Sequence, residues 1–367
     1  MKKRLLSSNY YSKSMENGVE HIYVQSFPTL YKYQSSTEYS LHNFEADEIW
    51  GTVPSSFNDP YDCAVCFTPS KLITSAMSHL TEQRLKNYAI LLGKSSKKEI
   101  AKQIVQSIFE NNTLKKQYAV ACFSIYNDSE IMWGHYADSA KGFCLAYDGK
   151  NLMETAYTAS RVTFNLFKEF NAFGIDFSDI SDDNLISIVP VIYRDGKINI
   201  TDYLLDNIPD MFNCYDNLCK GMTLKEAYED LFLRIKQKYY SELEKNNYTF
   251  YSMMCRKSKV WNYEQEWRIW TYNSNVITGN FENPYMKIGN LKAKAVYLGE
   301  RMPEYMRRVI LEIAKMKQIP VYQMKSVMYK HCYKLKPILI QSNLLRSRLP
   351  TWCLCKTIAW QYSNSED

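Results

Sequence analysis

Ala295-Val296-Tyr297-Leu298, an apolar stripe at Met306, Val309, Ile310, Ile313 and Ala314, and then Ile319-Pro320-Val321-Tyr322-Gln323-Met324 form the stretch that decides the fold class. A short apolar run, an amphipathic helix and a second apolar run make a strand–helix–strand crossover. Such a unit requires a parallel or near-parallel strand pair and is right-handed as a rule. Toward the N terminus, Ile22-Tyr23-Val24, Leu30-Tyr31-Lys32-Tyr33 and Glu48-Ile49-Trp50 read as strands running into the turn-rich Pro54-Ser55-Ser56-Phe57-Asn58-Asp59-Pro60. Residues 71–110 carry two helical stripes, Leu72, Ile73, Ala76, Met77 and Leu80, then Ile100, Ile104 and Ile108, which predict two amphipathic helices. Tyr118–Phe123 suits a buried strand. Asp128 or Ser129 caps a short helix over Ile131–Ala137, Gly142 ends it, and Phe143–Tyr147 returns as a strand.

Residues 151–250 read as an insertion. Asp195-Gly196 between apolar runs predicts a hairpin, because both turn residues tolerate positive φ, and Leu224, Ala227, Tyr228, Leu231, Phe232, Ile235 and Tyr239 mark a long helix. The expected fold is α+β: a mixed central sheet with flanking helices and a helical/hairpin insertion. The core is divided between 21–150 and 251–325, and the tail 326–367 receives no assignment.

Composition fits a folded chain, with 46% hydrophobic and 23% charged residues. The formal charge of +6 favours anionic partners only weakly over so large a surface. No run approaches the length of a membrane span, and Met1–Tyr10 lacks the apolar core of a signal peptide, so a cytosolic chain is expected. The ten cysteines, without ligand partners at zinc spacing, then read as reduced thiols.

Three segments concentrate polar and aromatic side chains: Phe57–Asp62, Met132–Asp138 and Trp261–Arg268. In the first, Asn58-Asp59-Pro60 is a turn whose side chains bond nearby amides; alternatively Asn58 or Asp59 orients a ligand ribose. Asp62 is expected at the surface. In the second, His135 shares a helix face with Asp138, so a His–Asp contact is expected, while Trp133 and Tyr136 are either core rings or stacking surfaces for a planar base. In the third, strand alternation sets Glu264, Glu266 and Arg268 on one face and Gln265, Trp267 and Ile269 on the other. That arrangement buries Trp267 and exposes Glu264. It leaves either a Glu266–Arg268 ion pair on a solvated face or two carboxylates beside Lys257-Ser258-Lys259 that stabilise developing positive charge.

With Leu30–Tyr33, Cys122-Phe123-Ser124 and Lys141–Cys144, these motifs resemble a bacterial family catalogued as domain of unknown function 2971, over about residues 28–300. The Glu264-x-Glu266 element is also remotely similar to the catalytic element of ADP-ribosyltransferases. This second resemblance implies an NAD-consuming enzyme that cleaves the nicotinamide–ribose bond, with a toxin or anti-phage defence role. Glu266, Glu264 and His135 would then be catalytic. Tyr31, Lys32, Asn58, Asp59, Trp133, Tyr136 and Arg268 would hold the dinucleotide, and the acceptor would be water, a protein, a nucleic acid or a cyclising adenine. A carboxylate bonded to a ribose hydroxyl strengthens its hold as oxocarbenium character develops. The rival readings are a metal-dependent nuclease using Asp59 or Asp62 with Glu266, and a non-catalytic nucleotide- or RNA-binding module. The nuclease lacks its usual lysine, since Arg268 stands there and cannot serve as a base.

Overall fold

The computed structural model describes residues 10–16, 19–63, 65–110, 115, 118–156, 188–196, 198–224, 226, 227, 230, 231, 234, 255–273, 283–329 and 332–341. A hairpin of β1 (Tyr11–Glu16) and β2 (Val19–Val24) leads into β3 (Thr29–Gln34), α1 (Glu38–Glu45) and β4 (Glu48–Thr52). After β5 (Val65–Cys66) come α2 (Pro69–His79), α3 (Glu82–Leu92) and α4 (Lys97–Glu110), three helices where two were expected. The extra break has a local cause. Thr81 leaves the helical conformation and its hydroxyl accepts the Arg84 N–H, which starts a new helix, and Gly93 ends that helix at φ 63°.

The chain continues through β6 (Tyr118–Ser124), α5 (Glu130–Tyr136) and β7 (Phe143–Asp148). Ser129 is the residue that caps α5, accepting the Met132 N–H. Gly142 is required between α5 and β7, because a Cβ there would lie 2.1 Å from the Gln34 carbonyl oxygen. Next are β8 (Ile188–Pro190), β9 (Ile192–Tyr193), β10 (Ile198–Asn199) and α6 (Thr201–Cys219), then β11 (Arg256–Lys257), β12 (Glu266–Tyr272), β13 (Tyr285–Asn290), β14 (Ala295–Leu298), α7 (Glu304–Lys317), β15 (Val321–Tyr329) and β16 (Cys332–Gln341). The predicted crossover is present, with β14 and β15 parallel and joined through α7. Of the tail left without an assignment, residues 326–329 complete β15 and residues 332–341 form β16.

The expected hairpin at Asp195-Gly196 does not form. Gly196 adopts φ 86°, but β9 pairs in parallel with β11 and β10 in parallel with β5. The flanking runs are two residues each, and each finds its hydrogen-bond partner elsewhere, so the turn carries the chain away from the sheet. The predicted helix beyond Leu224 is helical at its described positions, where Ala227 and Leu231 are buried; its remainder lies outside the described residues.

The fold is α+β, built on a ten-stranded mixed sheet whose main path runs β13-β4-β6-β3-β7-β14-β15-β16. Along one edge β6 pairs with β12 over its whole length, while β4 meets it at Val120 and β3 at Ser124. One sheet face packs Leu30, Phe123, Leu145, Trp267 and Ile269 into a core with α1 and α7. A second apolar core lies among α2, α3, α4 and α6, so the region read as an insertion completes a helical layer begun at residue 69. Arg84, Tyr88 and Asp216 lock that layer, with Arg84 Nη2 2.7 Å from Asp216 Oδ2 and the Tyr88 hydroxyl donating to Asp216 Oδ1 at 2.6 Å. Among the described residues no helix is long and apolar enough to cross a membrane.

Candidate functional site

Three segments meet on the sheet face opposite Trp267: the turn after β4, the N-terminal half of β12, and the residues between β11 and β12. The turn is set by Asp59, whose Oδ1 accepts the Tyr61 N–H at 2.9 Å and whose carbonyl accepts the Asp62 N–H at 3.1 Å. Asp59 therefore has the turn-forming role. Its product is Asp62, aimed inward and only 1% exposed, against the expectation of a surface position.

The alternation expected over Glu264–Arg268 also needs correction. Lys259–Glu264 is a 3-10 turn, Gln265 takes a left-handed φ of 43°, and the strand begins only at Glu266. From there alternation holds: Trp267 faces Phe123 across β6 and enters the core, with Tyr11 and Phe27 edge-on to it, while Arg268 faces Cys122. Because Glu264 precedes the strand, it folds back under its own turn and is 2% exposed, not solvated.

Asp62, Lys257, Glu264, Glu266 and Arg268 form one buried charge cluster. Arg268 is its hub. Its Nη1 and Nη2 donate to Asp62 Oδ1 and Oδ2 at 2.9 and 2.6 Å, and its Nε and Nη2 to Glu266 Oε1 and Oε2 at 2.8 and 3.1 Å. This doubly bidentate use is open to a guanidinium and not to an ammonium. Lys257 Nζ lies 2.7 Å from Glu264 Oε2 and 3.4 Å from both Asp62 Oδ2 and Glu266 Oε2. Three carboxylates thus meet two cations, and one negative charge is left over.

Electrostatics place that surplus on Glu264. Burial and the neighbouring Glu266 charge push its carboxyl up to about 7, against the downward pull of Lys257 and Tyr136. Burial opposes ionisation of Glu266 too, but Arg268 and then Lys257 outweigh it and bring that carboxyl to about 2. Two carboxylates two residues apart are driven in opposite directions, one permanently charged and one carrying a proton near neutrality.

Glu264 is also the member nearest a set of aromatic side chains. The Tyr136 hydroxyl donates to Glu264 Oε1 at 2.5 Å and accepts from Asn58 Nδ2 at 3.3 Å. Lys257 Nζ sits 4.8 Å from the Trp261 ring centroid, Trp261 packs beside Tyr263, and the Tyr263 hydroxyl meets His135 Nδ1 at 3.1 Å. Tyr136, His135, Tyr263 and Trp261, none of them fully buried, form a lip around the Glu264 end of the cluster. Beside the start of β12 is a cavity of about 160 Å³, lined in part by Tyr10, Tyr11, Tyr193, Asn262, Gln265, Glu266 and Trp267. The Tyr193 hydroxyl accepts the Glu266 N–H there at 2.8 Å.

Other sequence candidates fall elsewhere. Trp133 is 1% exposed, edge-on to Tyr33, and its Nε1 donates to the Asn127 carbonyl at 2.7 Å, so it has no free face for stacking. His135 turns to Tyr263, while Asp138 takes a left-handed φ of 47° beyond the helix end; the expected His–Asp contact gives way to an aromatic one. Tyr31 packs edge-on to Tyr297. Lys32 points to the other side of the sheet, 5.1 Å from the Phe123 centroid, where burial lowers its amine below the ordinary value. The sequence reading set Asp62 beside Glu266 only in the nuclease alternative and Lys257 only as an approach to the carboxylates; it missed that both are buried, with Asp62 paired to Arg268 and Lys257 held among the three acids. The one available signal was charge balance, since a buried Glu266–Arg268 pair beside another acid calls for a second cation.

Cys63, Cys122 and Cys255 pack around the Arg268 end, and burial raises all three thiols, Cys63 to about 12. The eight described cysteines are free, while Cys353 and Cys355 lie outside the described residues. Thiol titration after denaturation is expected to find all ten; two or more missing would contradict the reading of a reduced protein.

The cluster can be set against known proteins. Residues 132–269 match the family described as a protein of unknown function, DUF2971. No curated protein and no solved structure matches the chain. The DUF2971 match is shorter than the span its motifs suggested, yet it runs from α5 to just past Arg268. It contains Tyr136, Lys257, Glu264, Glu266 and Arg268, and it leaves out the turn that supplies Asn58 and Asp62.

Proposed function

We propose that this protein cleaves the nicotinamide–ribose bond of NAD, with Glu264 as the working carboxylate and Glu266 as a fixed charge. The observation that carries the reading is Glu264, which shares its one cation, Lys257, with Asp62 and Glu266 and whose carboxyl is pushed up to about 7 beside the lip of Tyr136, Tyr263 and Trp261. The nicotinamide ring of NAD is a planar cation. Aromatic faces and a surplus of negative charge both attract such a group, and the attraction to the carboxylate persists as positive charge moves to the ribose.

In the reaction the bond between ribose C1′ and the ring nitrogen breaks and its electron pair leaves with neutral nicotinamide. An acceptor oxygen or nitrogen then bonds C1′. Ionised Glu264 takes the acceptor's proton, and the Tyr136 hydroxyl gives that proton a route toward solvent. Glu266 is held by Arg268 and Lys257 and is less suited to the ribose contact than its place in the motif implied. The 160 Å³ cavity is too small for a dinucleotide, so the aromatic lip takes the larger share of binding. The nuclease reading has less support, because the Lys257 ammonium occupies the point where the three carboxylates converge.

The test is incubation of the purified protein with NAD, with and without cell extract as a source of acceptors. Free nicotinamide is expected, with a rate that rises with pH through about 7 as Glu264 loses its proton. Absence of nicotinamide under every acceptor condition overturns the proposal, and cleavage of a nucleic acid that a chelator abolishes favours the nuclease.

A further inference from the structure

β14 pairs with β15 only at Val321–Gln323. Beyond that register Met324–Tyr329 pairs, among the described residues, with no strand but Cys332–Pro337, so the two strands leave the sheet as a ribbon. The ribbon is anchored on one face. Met324 is buried with Trp133, Ala137 and Cys144, Leu335 packs against them, and Glu300 accepts both the Ser326 N–H, at 2.8 Å, and the Ser326 hydroxyl, at 2.5 Å.

The other face is basic. Lys325 stands directly across from Lys336, and Lys334 stands across from Val327, so period-2 alternation puts all three lysines on the same side. All three are exposed, and none has an acidic partner among the described residues. Like charges facing each other across two strands destabilise the pair. Mixed-sign pairing would remove that cost, as Glu304 does for Arg307 and Arg308 on α7. A partner that supplies a row of negative charges removes it too.

We infer that the β15–β16 ribbon docks double-stranded DNA through Lys325, Lys334 and Lys336. A two-stranded ribbon has the width that the major groove of B-form DNA admits, and its lysines contact phosphates. This surface is separate from the carboxylate cluster and does not depend on the reaction proposed there. Met328 and Tyr333 face each other on the anchored side of the ribbon and are exposed, so the lysine face is free of them.

The experiment titrates the full chain against a short fluorescent DNA duplex over a series of salt concentrations, next to a variant carrying Lys325→Gln, Lys334→Gln and Lys336→Gln. For three phosphate contacts the slope of log affinity against log salt should shrink by about 2.7 in the variant. Nicotinamide release should be unchanged, and thermal unfolding should occur at the parent temperature or slightly above it, because the facing lysines no longer repel. Lys325→Glu alone should weaken binding in the same direction. An unaltered slope, absence of duplex binding at low salt, or preference for an anionic lipid vesicle or for single-stranded RNA overturns the inference.

Discussion

Replacing Arg268 with leucine should lower stability by about 3–5 kcal/mol, the range for breaking a buried ion pair from one side. The side chain is fully buried and makes four charge-assisted hydrogen bonds to two carboxylates. Leucine fills part of the volume and leaves Asp62, Glu264 and Glu266 facing Lys257 alone. Arg268→Lys keeps the charge but cannot bond both carboxylates bidentately, so its loss should fall between parent and leucine. Adding Asp62→Asn to Arg268→Leu should recover part of the stability, because it removes one of the orphaned charges. Chemical denaturation at neutral pH measures all four proteins. A loss below about 1 kcal/mol for Arg268→Leu would mean that the cluster is solvated in solution.

The second large effect concerns Glu264→Gln. Glutamine still accepts from Lys257 and Tyr136, but it carries no charge and takes no proton, so nicotinamide release should fall roughly 10²- to 10⁴-fold, with a smaller loss of NAD affinity from the missing attraction to the cationic ring. Stability should respond to pH in a defined direction. The folded carboxyl titrates near 7 and the unfolded one near 4.5, so the native state holds the extra proton between those values. Stability should therefore decline as pH rises from about 4.5 to about 7, and Glu264→Gln should flatten that decline. Glu266 has the opposite sign: its contribution is present above 4.5 and is lost as pH falls toward 2. A Glu264→Gln protein that releases nicotinamide at the parent rate would keep the NAD chemistry and remove Glu264 from it.

The strand–helix–strand unit over 295–324 was legible because its two periodicities change sharply at the helix ends, and Trp267 was legible as an anchor because β12 does alternate. Glu264 was misplaced by extending that alternation two residues too far. A left-handed residue at Gln265 breaks the period, and nothing in the side chain of a glutamine announces it. Asp62 was read as surface because its partner, Arg268, lies 206 positions away. Local patterns carry no information about such pairs. Asp195-Gly196 shows the complementary failure: Gly196 takes the positive φ the pair suggested but Asp195 does not, and the pairing of its flanks was decided by β11 and β5.

The most direct test of the account is a pH titration of side-chain carboxyl carbons by NMR, using protein labelled at glutamate, alongside the Glu264→Gln variant. One glutamate resonance should titrate near 7 and be missing from the variant, while a second should remain ionised down to about 2. If every glutamate in the parent protein titrates near its ordinary value of 4.5, there is no proton-carrying carboxylate at this site, and the proposed chemistry has no base.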